Sequence, residues 1–436
     1  MTSMPQERRT WFAPAPGAAP NTLSSPSSSP SPSPSPSPSP WRNRDFRALF
    51  GAATLNQLGT NTGYVAVPLL ALTTLDATAA QVGTLAALST LAFLLIGLPA
   101  GAWVDRLRTG VLIAADLARG LLFASLPLAW WLDVLTLVQL YVVVLLTGCA
   151  TVFSDVGSQS VLPQLVGRGG LVRANAAMVT LMAAANIAGR GVGGALIAAL
   201  TAPFALACSS AAYLASALRL TRVRPTPAPP PRARTPLRSQ IVEGLRHVLG
   251  HPELRALALS ATLNNLGVAV LNTMLPVLFV SELGLSPAAL GLFWAAGGAG
   301  LLLGARLARP FAARVGYGRA LLLSLTPAAL LVPLLDHGPW LWLAGGGWLL
   351  AMMKTGSNNV LGVSLRQHLT PDPLLGRMNA TFRFMLTGAL ALGSAASGLL
   401  AELTTLHTTL WTGAALVAVS WAPVAASPLR RRKTGA

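Results

Sequence analysis

Residues 81–103, twenty-three in a row, contain no acidic or basic side chain. The same holds for 135–153 and 256–281, and the runs 110–132 and 174–218 are interrupted only by Asp116, Arg119 and Arg190. A helix needs about 20 predominantly apolar residues to cross the hydrocarbon layer of a bilayer. Lipid offers the backbone no hydrogen-bond partners, so a spanning segment is a helix or part of a closed barrel. These runs are continuous rather than alternating and rich in Leu and Ala, which selects helices. Only 10% of the 436 residues are charged, against about 25% in an ordinary soluble protein. The pattern predicts an all-α integral membrane protein with twelve transmembrane helices, over 46–75, 81–104, 110–132, 135–156, 172–200, 203–221, 252–281, 287–309, 317–336, 339–360, 377–402 and 405–426.

The formal charge of +18 would suit nucleic acid, but its distribution argues for a membrane. Basic residues gather in alternate loops: Arg106 and Arg108, Arg168 and Arg173, the stretch from Arg222 to Arg246, Arg309 and Arg314, Arg366 and Arg377, and the run Arg430-Arg431-Arg432-Lys433. The other loops, around 76–80, 133–134, 201–202, 282–286, 337–338 and 403–404, hold no Lys or Arg. They or their flanks carry Asp76, Asp133, Glu282, Asp336 and Glu402. This is the positive-inside distribution, and it predicts a multi-pass protein of a bacterial-type inner (plasma) membrane with both termini cytoplasmic. The expected partners are the lipid bilayer and a small molecule, not nucleic acid. Cys149 and Cys208 both fall within predicted spans, so no structural disulfide is expected. The N-terminus reads as a solvated Ser/Pro-rich tail over 1–41 without the apolar core of a cleavable signal.

A phrase recurs. ATLNQLG at 53–59 returns as ATLNNLG at 261–267. At the same offset of 208, Pro68 meets Pro276, Arg106 meets Arg314, Gln159 meets Gln367 and Pro163 meets Pro371. After a four-residue slip, LVRANA (171–176) meets LGRMNA (375–380). We read a duplicated six-helix unit: parallel bundles at 42–221 and 246–428, a cytoplasmic linker at 222–245 and a basic cytoplasmic tail at 429–436. Two parallel repeats around a midplane cavity suit alternating access.

Four stretches carry a family resemblance: GAWVDRLRTG (101–110), FSDVGSQSVLPQLV (153–166), SQIVEGLRHVLGHPELRAL (239–257) and RQHLTPDPLLGRMNATFR (366–383). With them, residues 42–426 resemble the major facilitator superfamily, in the branch of enterobactin exporters and macrolide-efflux proteins. The first stretch is similar to that superfamily's loop motif Gly-x-x-x-Asp-Arg-x-Gly-Arg, with Arg108 in place of the second Gly. AAANIAGRGVGG (183–194) is similar to its helix-5 antiporter motif, but Ala185 replaces the first Gly and Arg190 stands where Pro is usual. The resemblance implies a secondary transporter, with proton-coupled export of small amphipathic molecules such as drugs or siderophores as the leading activity. An uptake symporter of the same fold and a non-transporting membrane sensor are the alternatives.

Candidate residues follow. By resemblance, Asp105 and Arg106 form a latch with Arg377 or Arg383 on helix 11; the alternative is a solvated turn that fixes topology. Gln57, Asn61 and Tyr64 share one face of helix 1 beside Asn56, as Asn265 and Asn272 do on helix 7, which suits either a cavity or interhelical hydrogen bonding. Lys354 lies mid-span and reads as a cavity cation or half of an internal pair. Intramembrane charges are functional candidates, so Asp116 and Asp155 are coupling candidates, with Arg119 in a structural network beside them. Gly189, Gly193 and Gly194 permit close helix contact. Arg190 among them reads as snorkelling outward, with attraction of an anionic substrate as the alternative.

No Gly-x-x-x-x-Gly-Lys-Ser/Thr loop exists and the only lysines are Lys354 and Lys433, so the chain is not an ATPase by this signature. Neither a metal-ligand spacing nor a nucleophile–base pair stands out. The expectations are no cofactor, no metal, no enzymatic activity, protons as coupling ion and a monomeric unit.

Overall fold

A computed structural model describes residues 39–107, 109–224, 237–322, 326–335, 340–371 and 374–432, and for 97–107, 109, 156, 159–160, 163–164, 167–170, 172 and 237–241 the backbone alone. The Ser/Pro-rich tail up to residue 38, Arg108, and the Pro-rich linker 225–236 lie outside the described residues.

The described chain is all helical. Its long helices are α1 (Arg44–Thr74), α2 (Ala79–Leu107), α3 (Thr109–Trp131), α4 (Leu137–Leu200) and α5 (Ala202–Leu220). After the linker come α6 (Leu237–Gly250), α7 (Pro252–Pro276), α8 (Pro287–Val315) and the short α9 (Tyr317–Leu322). α10 (Trp340–His368), α11 (Leu375–Leu403), α12 (Leu406–Val419) and α13 (Ala422–Ala425) complete it. Caps match local chemistry: the Asn43 side chain accepts from the amides of Asp45 and Phe46 at the start of α1, and Thr136 accepts from Gln139 at the start of α4.

Among the described residues, nine stretches are long and apolar enough to cross a membrane. α1, α5 and α10, at 31, 19 and 29 residues, have the length but are not among the nine. They are the polar helices, with Asn56, Gln57 and Asn61 on α1, Ser209, Ser210 and Ser216 on α5, and Lys354, Asn358 and Asn359 on α10. Length and apolarity together therefore do not return the predicted twelve.

α4 departs from expectation. Two spans were predicted over 135–156 and 172–200, yet helical backbone runs unbroken for 64 residues. A straight helix of that length would be about 96 Å, three times the hydrocarbon thickness. Contacts show that it folds back. Asn56 meets Asp116, and Gly63 meets Phe123, so α1 and α3 run in the same direction. The first part of α4 opposes them: Gln139 donates to the Ser125 carbonyl and Arg119 to Ser154. The second part follows α1, with Asn43 bonded to the Leu165 carbonyl and Gly189 against Asn61. The reversal thus falls between residues 155 and 165.

α1 packs on α5 and α4, α3 on α5, and α2 on the first part of α4. Later in the chain α8 packs on α10, and α7 on α11 and α12. Two seams join these sets: α2 against α11, and the second part of α4 against α8. Both are glycine contacts. A Cβ at Gly83 would lie 2.7 Å from the Gly398 Cα, and one at Gly194 would lie 2.6 Å from the Pro287 carbonyl oxygen and 2.9 Å from the Gly291 Cα. With no hydrophobic drive between helices in lipid, such close backbone packing supplies much of the association.

The second half of the predicted linker is ordered helix: α6 lies on α11, where Glu243 forms an ion pair with Arg377. The predicted C-terminal tail is docked over its first residues. Leu429 is fully buried, Arg432 pairs with Glu253 at 2.6 Å, and its carbonyl accepts from the Gly318 amide.

Candidate substrate cavity

A cavity of about 390 Å³ lies between α1, α2, α3, the first part of α4, α5, α7, α8 and α11. Among the described residues its lining holds no Asp, Glu, Lys or Arg. The walls are mostly aliphatic and aromatic, including Phe93, Phe123, Tyr213 and Trp294, with polar groups from Thr60, Tyr64, Ser89, Thr147, Thr151 and Asn272. This is the usual make-up of a small-molecule pocket: apolar walls with a few polar groups that fix orientation. Some polar capacity is unused. The Asn272 side-chain nitrogen donates to the Val268 carbonyl, while its Oδ1 and the Trp294 Nε1 have no partner among the described residues.

On one wall three side chains from three helices stack. The Arg190 guanidinium lies 4.3 Å from the centre of the Tyr64 ring and 5.9 Å from that of Trp294, and the two rings meet edge-on at 5.1 Å. Arg190, expected to snorkel outward, has its guanidinium against rings of α1 and α8. Stacking on a π face compensates part of the lost hydration of a guanidinium. Its Nε is buried without a hydrogen-bond partner among the described residues. Gly189, Gly193 and Gly194 make this possible, since the first two sit against Asn61 and Thr62 of α1 and the third against α8.

Beside the cavity lies a dry polar network. Asp116 and Arg119 are each 1% exposed and form an ion pair. The Asp116 carboxylate also accepts from Asn56 at 2.7 Å and Ser216 at 2.5 Å. Arg119 donates to Ser154 at 3.1 Å and stacks on Tyr213 at 4.5 Å, and Tyr213 shares a 3.0 Å hydrogen bond with Thr60. A carboxylate with three donors on it is fixed in place. Asp155, the other coupling candidate, is exposed, and Arg119 and Arg383 lie close enough to act on its charge.

The remaining candidates scatter. Of the cavity set, Tyr64 and Asn272 line the cavity. Asn56 is engaged by Asp116, and Asn61 is 4% exposed and bonds back to Gln57. Asn265 lines a separate pocket of about 70 Å³. Lys354 does not face the cavity: it is 4% exposed and donates to Ser420 at 2.9 Å. Arg377 pairs with Glu243, and Arg383 lies 4.2 Å over the Phe93 ring, joining α11 to α2. The side chains of Asp105 and Arg106 lie outside the described residues. The sequence reading missed Tyr213, Phe123, Phe93 and Trp294. A usable signal exists for Trp294: it stands seven residues into α8, unlike the tryptophans at span ends.

Residues 35–435 match the model of a family described as a transmembrane secretion effector, MFS_3. The chain is 28% identical over 363 residues to the enterobactin exporter EntS of Escherichia coli O1:K1, covering 81% of this chain and 84% of the relative. The EntS of Citrobacter koseri matches to the same extent. Among known structures, the nucleoside transporter NupG superposes with a TM-score of 0.71 at 14% identity, covering 88% of this chain and 98% of that one. A bacterial homologue of the iron transporter ferroportin, in an inward-facing state, gives 0.67 at 18% identity, covering 88% and 98%. A multi-pass helical membrane architecture, a central cavity and a family match along nearly the whole described chain converge: the protein belongs to the MFS_3 family, and is a secondary transporter of small molecules with the major facilitator fold rather than an enzyme.

Proposed function

We propose that the protein exports small amphipathic molecules by alternating access, drawing on the proton gradient of an inner membrane. In this reading twelve helices form two parallel six-helix halves, 42–221 and 246–428, with the basic loops and both termini on the cytoplasmic side. α4 then supplies two of the twelve, and α9 with the 3-10 segment Thr326–Leu334 supplies another. Drug-like or siderophore-like compounds fit the apolar, uncharged lining, and the relatives of the chain include enterobactin exporters.

The observation that carries the reading is the pair of glycine seams. Gly83 with Gly398 and Gly194 with Gly291 bring the two halves into backbone contact at the end of the molecule that carries the acidic, Arg-free loops. In this reading the cavity is sealed from the outside. Two rigid halves meeting at small residues can separate there as bodies without unfolding a helix. Asp155, exposed and near Arg383 of the other half, is the group we assign to proton coupling; Asp105, Arg106, Arg377 and Arg383 remain the proposed gating set.

The test is accumulation of a panel of fluorescent amphipathic compounds in an efflux-deficient bacterium, with and without the proton gradient. Lower accumulation that disappears when the gradient is collapsed is expected. Higher accumulation in expressing cells would replace export by uptake, and equal accumulation across the panel would remove this substrate class.

A further inference from the structure

A second large pocket, about 410 Å³, lies between α8 and α10 beside α9, and it is not part of the transport cavity. Trp294 marks the cavity face of α8. Leu307, in the wall of the second pocket, is thirteen residues further on, which is about 220° around the helix. The pocket therefore faces away from the cavity, toward lipid. The neighbouring surface agrees: Leu303, Leu307 and Phe311 are 45%, 48% and 38% exposed and form one stripe along α8.

The polar lining is unusual for a lipid-facing groove. Arg314, Lys354, Ser357 and Asn358 contribute, and among the described residues no acidic side chain does. Lys354 is 4% exposed, and its only hydrogen bond among the described residues is to the Ser420 hydroxyl. A buried ammonium with only a neutral partner is costly, and an anion offsets that cost. Arg314 stands exposed at the last turn of α8, the end where Arg309, Arg314 and Arg319 gather. The internal repeat sharpens the contrast. Asn56 and Ser216 of the first half hold the Asp116 carboxylate; their counterparts Asn264 and Ser420 have Ser324 and Pro327 in the places of Asp116 and Arg119. At this place the second half thus has Ser324 where the first half has the Asp116 carboxylate, and it is Lys354 that meets Ser420.

We infer that this pocket is a binding site for an anionic phospholipid, its phosphate held by Arg314 and Lys354 and its acyl chain lying along Leu303, Leu307 and Phe311. The charge selects a phosphate-bearing anion, and the apolar stripe leading into the pocket selects a lipid over a soluble ion. Basic pockets between helices near the membrane surface are a common solution for such headgroups. The inference rests on the membrane architecture and not on the transported substrate, so a failed export assay leaves it standing.

The test uses the full chain in nanodiscs of phosphatidylcholine with increasing phosphatidylglycerol. Thermal stability is measured, and retained lipid is counted by native mass spectrometry. The expected result is stabilisation that saturates with phosphatidylglycerol, and about fivefold weaker apparent affinity in Arg314→Gln, the usual effect of one basic residue at an anionic surface. Lys354→Met should abolish the preference; should that variant fail to fold, Arg314→Gln and Ser357→Ala carry the test. Equal behaviour in both lipids, or a preference unchanged in Arg314→Gln, overturns the site. Matching stabilisation by inorganic phosphate in neutral nanodiscs would make the occupant a soluble anion and overturn the lipid assignment.

Discussion

Arg190 lies face-on over Tyr64, its guanidinium carbon 4.3 Å from the ring centre, in the one helix where the superfamily motif usually has proline. Tyr64 is 42% exposed and lines the cavity, so the cation lies against a cavity-lining ring. Replacing Arg190 with Met keeps most of the packing and removes the charge. A cation–π contact is worth about 0.5–2 kcal/mol, so substrate affinity should fall by several-fold, most for anionic compounds. Lys should rescue only in part because it lacks the planar fork. Binding of anionic and neutral probes by Arg190→Met at wild-type strength, measured by ligand-induced thermal shift, would show that the stack is purely structural.

The Asp116–Arg119 pair predicts a stability effect. Both side chains are buried, so Asp116→Asn leaves a buried guanidinium without its counter-ion. Breaking one side of a buried pair costs about 3–5 kcal/mol. Thermal unfolding in detergent should drop well below wild type, and the double variant Asp116→Asn/Arg119→Met should recover part of the loss. A single variant as stable as wild type would show that the pair adds nothing to the stability of the fold.

Asp155 and Asp116 should separate cleanly in function. Asp155 is exposed and has charges from Arg119 and Arg383 nearby, whereas three donors immobilise Asp116. Asp155→Asn should keep the fold and allow downhill substrate movement while losing dependence on the proton gradient. Transport by this variant that still collapses with the gradient would move the coupling role elsewhere.

At the seams, added volume should change conformation more than stability. A side chain at Gly83 or Gly194 must push α11 or α8 away, because the contacts are backbone. Gly83→Val and Gly194→Val should raise the reactivity of a cysteine introduced at cavity-lining Ser89 toward an impermeant thiol reagent added outside. The background of Cys149 and Cys208 is removed first. Unchanged labelling in both variants would place the outer barrier somewhere other than these seams.

Much of this molecule is written in local features. Charge-free apolar runs such as 81–103 dictate membrane helices, because chain length and solvation energy alone decide whether a segment can leave water. The polar face of α1 is likewise local, since residues three and four apart share a side of any helix. What lies across from that face is not local. Asn56 and Tyr64 belong to the same stretch, yet one serves Asp116 and the other the cavity, because α3 packs at the first level and α8 at the second. Arg190 and Lys354 show the same limit. Each is a lone charge in an apolar run, and whether such a charge snorkels, pairs or stacks depends on neighbours more than sixty residues away, Tyr64 and Ser420. The unbroken backbone of α4 also escaped the reading, since hydropathy reports where a segment lies and not how its ends are joined. Sequence by itself determined the solvent and the helices, which follow from short-range periodicity and transfer energy. The tertiary structure alone decided which polar groups face the cavity, the second pocket or each other, because that choice is made by helix–helix packing, where partners are brought together by the fold and not by the chain.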